Sequence, residues 1–211
     1  AFCAGADMAV LGELSADPAA PNSGSGGLRY DGIMLLDKPV IAAVHGACAG
    51  IGLAMACAAD IRIAADNAVF VAPFAKLGLC AEGGLAWSLT RLMGQGHAAE
   101  MLLTARRVGA AEALAKGLVS QVLPAEGFAE AALNYAEALA SGSPASFAMM
   151  KRQLREADGQ DFETARAASM RLTRETLDGD DFKEAMAARR EGRTPRLEGL
   201  SVPFAPPVCN G

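Results

Sequence analysis

The sequence predicts an α/β protein in two parts, a layered strand-and-helix core over residues 1–125 and an all-helical region over 126–211. Three observations predict it. Short, continuous apolar runs bounded by turn residues recur at 38–44, at "IRIAAD" and at "AVFVAP", as expected of buried strands. Gly- and Ala-dense stretches accompany them, where backbones approach one another closely. Beyond Pro124 the pattern changes to four amphipathic helical segments.

Taken in order, "KPVIAAV" (38–44) is an apolar run behind a proline and reads as a buried strand. In "GACAGIGLAMACAAD" (46–60) the glycines end at Gly52 and "LAMACAA" suits a helix, so a tight turn feeds a helix start. Two short strands follow. From Gly84 to Met93, the apolar Leu85, Leu89, Leu92 and Met93 fall at helical spacing. A helix-turn segment at 98–117, punctuated by Gly109 and Gly117, leads to a strand at "LVSQVLP" (118–124). The tail reads as helices at 127–141, 144–157, 161–177 and 180–191, separated by Gly142–Pro144, Asp158–Gly159 and Asp178–Gly179. Residues 9–29, with their "NSGSGG", read as a mobile loop. The chain opens on Ala1 and runs straight into "FCAGAD", and we expect an N-terminal portion of the fold to precede it.

Composition excludes several classes. With 52% hydrophobic and 20% charged residues the chain packs a core rather than staying disordered. A net charge of −5, with no clustering by sign except in the mixed run "AARREGRTPR" (187–196), gives no reason to expect nucleic acid or an acidic membrane as partner. Five scattered cysteines without a C-x-x-C, and only His45 and His97, argue against a disulfide framework and against a metal site. A reducing, cytoplasmic location is therefore expected. Asp60 and Arg62 break the longest apolar run before it reaches the roughly 18 residues of a membrane span. No G-x-G-x-x-G or phosphate-binding loop occurs, so no dinucleotide or ATP is expected.

Three stretches can carry chemistry. "FCAGAD" (2–7) brings backbone close to a neighbour through small residues. "CAGIGLA" (48–54) sets glycines ahead of a helix, whose first N–H groups lack helical partners and can stabilise an oxyanion. Small residues at a helix start more often serve packing alone. "LGLCAEGG" (77–84) sets one acid, Glu82, before two glycines and a helical run, where an ordinary first-turn acid would also be favourable.

Together, in this order, "AFCAGADM", "DKPVIAAVHGACAGIGLAMACAADIRIA", "VFVAPFAKLGL", "LTRLMGQGHAAEMLLTARRVGAAEALAKGLVSQVLP" and "FKEAMAARREGRTP" resemble the crotonase superfamily, the enoyl-CoA hydratase/isomerase family. The resemblance implies a spiral of ββα turns, C-terminal helices that build a homo-oligomer (trimer or hexamer), and an acyl-CoA thioester as substrate, coenzyme A entering only as part of it. It places the oxyanion donors at the N–H groups of Ala6 and Ile51, and backbone contacts to CoA at Ala4, Met8 and Ala9. Asp7 shapes the turn around the CoA end. The family usually has glycine where Ile51 stands, so that side chain narrows the acyl approach.

Hydration of a 2-enoyl-CoA in this family uses two glutamates, whose positions here hold Ala54, four residues after Gly50, and Phe74, after Pro73. Neither can exchange a proton. "LGLCAEGG" resembles instead the Δ3,Δ2-enoyl-CoA isomerase-like members, which use a single glutamate, here Glu82. A carboxylate base works best in an apolar pocket, which Phe74, Leu77, Leu79, Leu85 and Trp87 are expected to supply. The substrate-binding set thus adds Gly50, Ala54, Pro73, Phe74, Leu77 and Trp87 to the CoA contacts. The alternatives are a hydratase-type lyase working through Glu82 alone and a non-catalytic acyl-CoA-binding subunit. Asp60 reads as a turn residue, His45 as packing, His97 as surface, Cys3 and Cys80 as small fillers. Basic groups at Lys151, Arg152 and Lys183 could reach CoA phosphates, though solvated basic faces are the commoner outcome.

Overall fold

The computed structural model describes residues 1–16 and 30–198. Strand β1 (Ile41–Val44) is followed at once by β2 (Ala47–Ala49). That link is too short for a parallel crossover, and the two strands enter different sheets. Helix α2 (Ile51–Ala58) carries the chain back, and β3 (Ile61–Ala65) pairs in parallel with β1, Ile41 opposite Ile61. Strand β4 (Val69–Val71) then pairs in parallel with β2, Ala47 opposite Val69. The step from 41 to 61 in one sheet and from 47 to 69 in the other is one turn of a ββα spiral.

The next turn runs through α3 (Phe74–Leu77) and α4 (Leu85–Thr104) to β5 (Arg107–Gly109), antiparallel to β4. Helix α5 (Ala110–Ala115) and β6 (Gln121–Leu123), parallel to β3, complete it. The sheets are β1-β3-β6 and β2-β4-β5. In the core formed by strands and helices, Val44, Leu53, Phe70, Leu85, Leu89, Met101, Val108 and Leu118 are fully buried. Each such aliphatic or aromatic side chain contributes roughly 1.5–3 kcal/mol. Helix α2 is apolar all round, and its alanines let it lie close against the strands.

The chain divides into two compact units, the first comprising Ala1–Met34 and Val40–Asn134, the second Leu35–Pro39 with the chain from Tyr135. The second is helical: α6 (Phe128–Ala140) runs into it, followed by α7 (Pro144–Glu156), α8 (Phe162–Leu177) and α9 (Asp180–Glu191). Their starts are capped as sequence suggests. Ser143 Oγ accepts from Ser146 N–H at 3.1 Å and Asp161 Oδ1 from Thr164 N–H at 2.7 Å.

Four expectations are corrected. Residues 9–16 are not loop: α1 (Met8–Ala16) forms there, because the Asp7 carboxylate accepts the Ala9 N–H at 2.8 Å and caps it. The remaining positions, 17–29, lie outside the described residues. The strand expected from 38 starts at Ile41, since Pro39 has no N–H and the Val40 carbonyl accepts Asp60 and Ile61 N–H instead. The strand expected at 118–124 shrinks to β6, since Leu118 and Val119 N–H both close α5 through the Ala113 carbonyl. The helix ending at 93 continues past a kink at Gly94 (φ 76°, ψ 158°) into the segment expected to begin at 98.

Surface ion pairs make stability acid-sensitive. In the first unit, Arg106 and Lys116 bind Glu112 and Glu100, with Lys116 Nζ 2.6 Å from Glu100 Oε2. Hydrogen bonds from Arg106 and then Lys116 hold the Glu112 carboxyl down at about 2, from an ordinary 4.5. In the second unit, hydrogen bonds from the Arg193 guanidinium and the Arg196 N–H hold Glu184 at about 2. A depressed carboxyl contributes stability above its unfolded value and loses it as pH falls. The melting temperature should therefore drop as pH falls from 4.5 towards about 2. Glu112→Gln should melt lower than wild type at pH 7 and converge with it at the acid end; parallel curves would refute the assignment.

Candidate active site

The predicted catalytic, oxyanion and acyl-CoA-binding residues fall in the first unit, while Lys151, Arg152 and Lys183 belong to the second. The "FCAGAD" segment is tied to β2 by one parallel bridge, Cys3 opposite Cys48. Cys3 N–H donates to the Ala47 carbonyl at 3.0 Å and Ala49 N–H to the Cys3 carbonyl at 2.9 Å. Gly5 (φ 105°) and Gly50 (φ 54°, ψ −120°) then turn the backbone where a side chain would strain it. These two glycines meet: a Cβ on Gly50 would lie 3.9 Å from Gly5 Cα and 4.0 Å from Pro73 Cγ. Gly52 is tighter still, since a Cβ there would sit 2.5 Å from the Cys3 carbonyl oxygen.

Ala6 and Ile51 directly follow the paired glycines Gly5 and Gly50. Gly50 N–H is spent on the Val71 carbonyl at 3.1 Å, and α2 begins at Ile51. The N–H groups of Ala6 and Ile51 meet no acceptor among the described residues. Two unspent donors, one at a helix N-terminus, are what a developing oxyanion requires. Ile51 is half-buried, while Ala4, Ala6, Asp7, Met8 and Ala9 are exposed. Asp7 uses its carboxylate on the α1 cap, a turn-shaping role.

At the opposite end of α2 sits a residue whose sequence signature is only a break in an apolar run. Arg62 is buried on β3, and burial pushes its guanidinium pKa down. Its Nε donates to the Leu118 carbonyl at 2.9 Å and one terminal nitrogen to the Ala59 carbonyl at 2.6 Å, with longer bonds to Ala56 and Asp60 carbonyls at 3.5 Å. A cation thus holds the negative end of the helix whose positive end carries the Ile51 donor. The available signal was an arginine alone inside the apolar strand "IRIAA".

Ala54 and Phe74, at the two glutamate positions, are 2% and 6% exposed, packed in the main core. Glu82 lies on a tight turn: Leu85 N–H donates to its carbonyl at 3.0 Å across Gly83 (φ 58°) and Gly84 (φ 69°). Both central φ are positive, which is why two glycines follow the acid. Glu82 is therefore not a first-turn acid, since α4 starts at Leu85 after Gly84. Its side chain is exposed, and among the described residues its carboxylate has no partner.

The expected apolar enclosure of Glu82 is corrected. Phe74 and Leu85 are buried, but Leu77, Leu79 and Trp87 are 42%, 49% and 48% exposed. The cause is local. Helix α3 has four residues and Gly78 (φ 70°) reverses the chain, turning Leu77 and Leu79 outward. Trp87 takes the Arg91 guanidinium over its ring at 3.7 Å. Lys151 is corrected as well: it is buried, and its Nζ donates to the Lys38 carbonyl at 2.9 Å within the second unit. Asp60 accepts Val40 N–H at 2.7 Å as a turn residue, His45 tilts on Phe128 at 6.4 Å, and His97 is exposed. Among the described residues no cluster of His, Cys, Asp and Glu could hold a metal ion, and no helix is long and apolar enough to cross a membrane.

The sequence profile described as enoyl-CoA hydratase/isomerase matches residues 1–199. The chain belongs to that family. It is 37% identical over 165 residues to carnitinyl-CoA dehydratase of Escherichia coli, covering 78% of this chain and 62% of the relative. It is 46% identical over 126 residues to a Mycobacterium tuberculosis protein named Probable enoyl-CoA hydratase EchA14, covering 58% of this chain and 48% of the relative. The chain spans about half to three fifths of the length of these curated relatives. A solved structure of an enoyl-CoA hydratase from Polaromonas sp. JS666 superposes with a TM-score of 0.84 at 33% identity, covering 93% of this chain and 77% of that one. The ββα spiral with its C-terminal helices is thus the crotonase fold.

Proposed function

We propose that this protein binds an acyl-CoA thioester, holds its carbonyl oxygen on the Ala6 and Ile51 N–H groups, and moves a proton with Glu82. The observation that carries the reading is the pair of unspent donors beside the packed glycines Gly5 and Gly50. Removing a proton from C2 sends electrons onto the thioester oxygen, and each preorganised donor lowers the cost of that charge by roughly 3–4 kcal/mol. With Ala54 and Phe74 apolar, Glu82 is left as the base. It takes the C2 proton of a 3-enoyl-CoA, the dienolate rests on the two donors, and the proton returns to C4. The double bond thereby shifts from C3–C4 to C2–C3, with no cofactor beyond the coenzyme A of the substrate.

The names of the relatives, hydratase and dehydratase, favour a second reading in which Glu82 alone assists addition or loss of water. Full-length protein incubated with 3-enoyl-CoA and with 2-enoyl-CoA separates the two. Conversion of the first without hydration of the second is expected; fast hydration with no double-bond shift would replace the first reading by the second. Thioester binding without any turnover would leave an acyl-CoA-binding subunit.

A cytoplasmic homo-oligomer is part of the proposal. In the second unit Leu154 and Phe162 are 74% and 76% exposed on α7 and α8, a cost that assembly would remove. Light scattering should report a trimer or hexamer, and Leu154→Glu with Phe162→Glu should yield monomers. A monomeric wild type would exclude it.

A further inference from the structure

Cys3 and Cys48 stand opposite each other in a parallel bridge whose register is fixed by its two flanking hydrogen bonds, of 3.0 and 2.9 Å. Paired Cα atoms of neighbouring strands lie about 4.7–4.9 Å apart. That is inside the roughly 4.4–6.8 Å Cα range of a disulfide, and closing the bond draws the two Cβ atoms from about the strand spacing to roughly 3.5–4.5 Å. Both sulfurs are free thiols, Cys3 half-buried and Cys48 fully buried. Cys3 also touches the start of α2: a Cβ placed on Gly52 would lie 2.9 Å from its Sγ. Any change at Cys3 is therefore felt one residue from the Ile51 donor.

We propose that Cys3 and Cys48 are a paired-thiol modification site, which a small disulfide of the glutathione class converts into a reversible cross-strand disulfide beneath the oxyanion helix. The Cys3 thiolate, the more accessible of the two, attacks one sulfur of the small disulfide. That S–S bond breaks, a mixed disulfide forms on Cys3, and the first small thiolate leaves. Cys48 then gives up its proton and attacks Cys3 Sγ, expelling the second. Two protein thiols are oxidised, one small disulfide is reduced to two thiols, and the two protons end on those thiols. The second step is the slow one. Burial, then the neighbouring Cys57 and Cys3, push the Cys48 thiol well above its ordinary range.

Formation of the bond is independent of the acyl-CoA reading; only its effect on turnover rests on it. Full-length protein is incubated with oxidised glutathione, alkylated, digested without reduction and sequenced by mass spectrometry. The expected result is a Cys3–Cys48 linked peptide, two thiols lost from the count in denaturant, and both regained with dithiothreitol. Cys3→Ser should abolish the link and Cys57→Ser should leave it. A Cys48–Cys57 link, a link through Cys80 or Cys209, glutathione stranded on Cys3, or an unchanged thiol count would overturn the proposal. If the protein turns over an enoyl-CoA, the oxidised form should lose at least ten-fold in rate and recover on reduction; a bond with unchanged rate would sink that functional half. A protein without turnover fails the acyl-CoA reading while the thiol count still decides the site.

Discussion

On the proposed isomerase reading, Glu82→Gln is expected to lower the rate of 3-enoyl-CoA isomerisation by roughly 10²–10⁴-fold, the usual contribution of a positioned acid–base group. The substitution separates chemistry from folding. The turn that holds Glu82 is made by its backbone carbonyl, the Leu85 N–H and the positive φ of Gly83 and Gly84, none of which glutamine alters. The side chain is exposed and, among the described residues, unpartnered, so the melting temperature should be unchanged within error. Glutamine keeps the size of the side chain and cannot take a proton, so kcat should fall while substrate affinity holds. Retention of activity within about ten-fold would move the base elsewhere. It could not move to 54 or 74 without new residues, and acids installed there would be buried charges costing several kcal/mol.

What was legible beforehand follows the range over which each signal acts. Apolar runs and glycine turns are local, and they located β1, α2, β3, β4 and the four C-terminal helices within a few residues. The close approach of "FCAGAD" to "CAGIGLA" was legible because only small residues allow it, and Gly52 against Cys3 is its physical content. Strand ends were less so. They depend on which carbonyl a given N–H reaches, as at Leu118 and Val119, and that is a tertiary fact. The composition of 9–29 is dominated by "NSGSGG" and hides helix α1, whose one local signal is Asp7 at its cap. Apolar residues near Glu82 in sequence did not enclose it, because a left-handed Gly78 turns Leu77 and Leu79 to solvent.

Arg62→Met should cost about 3 kcal/mol, because the carbonyls of Ala59 and Leu118 lose their donor inside the core. Methionine refills much of the volume and removes a desolvated charge, which offsets part of the loss. Orphaned carbonyls cost about 1–3 kcal/mol each, and two strong bonds are lost, so the carbonyl cost wins. In a chain of 211 residues that is a fall in melting temperature of roughly 6–12 °C. Arg62→Lys should rescue little, since one ammonium cannot fork between carbonyls from two segments. The consequence for function follows from the length of α2: eight residues, about 12 Å, separate the guanidinium from the Ile51 donor. Loosening the carbonyl end lets the helix tilt and misplaces that donor. The variant should therefore lose kcat even well below its melting temperature, with thioester affinity less affected. Unfolding within about 0.5 kcal/mol of wild type would show that Arg62 does not anchor the helix.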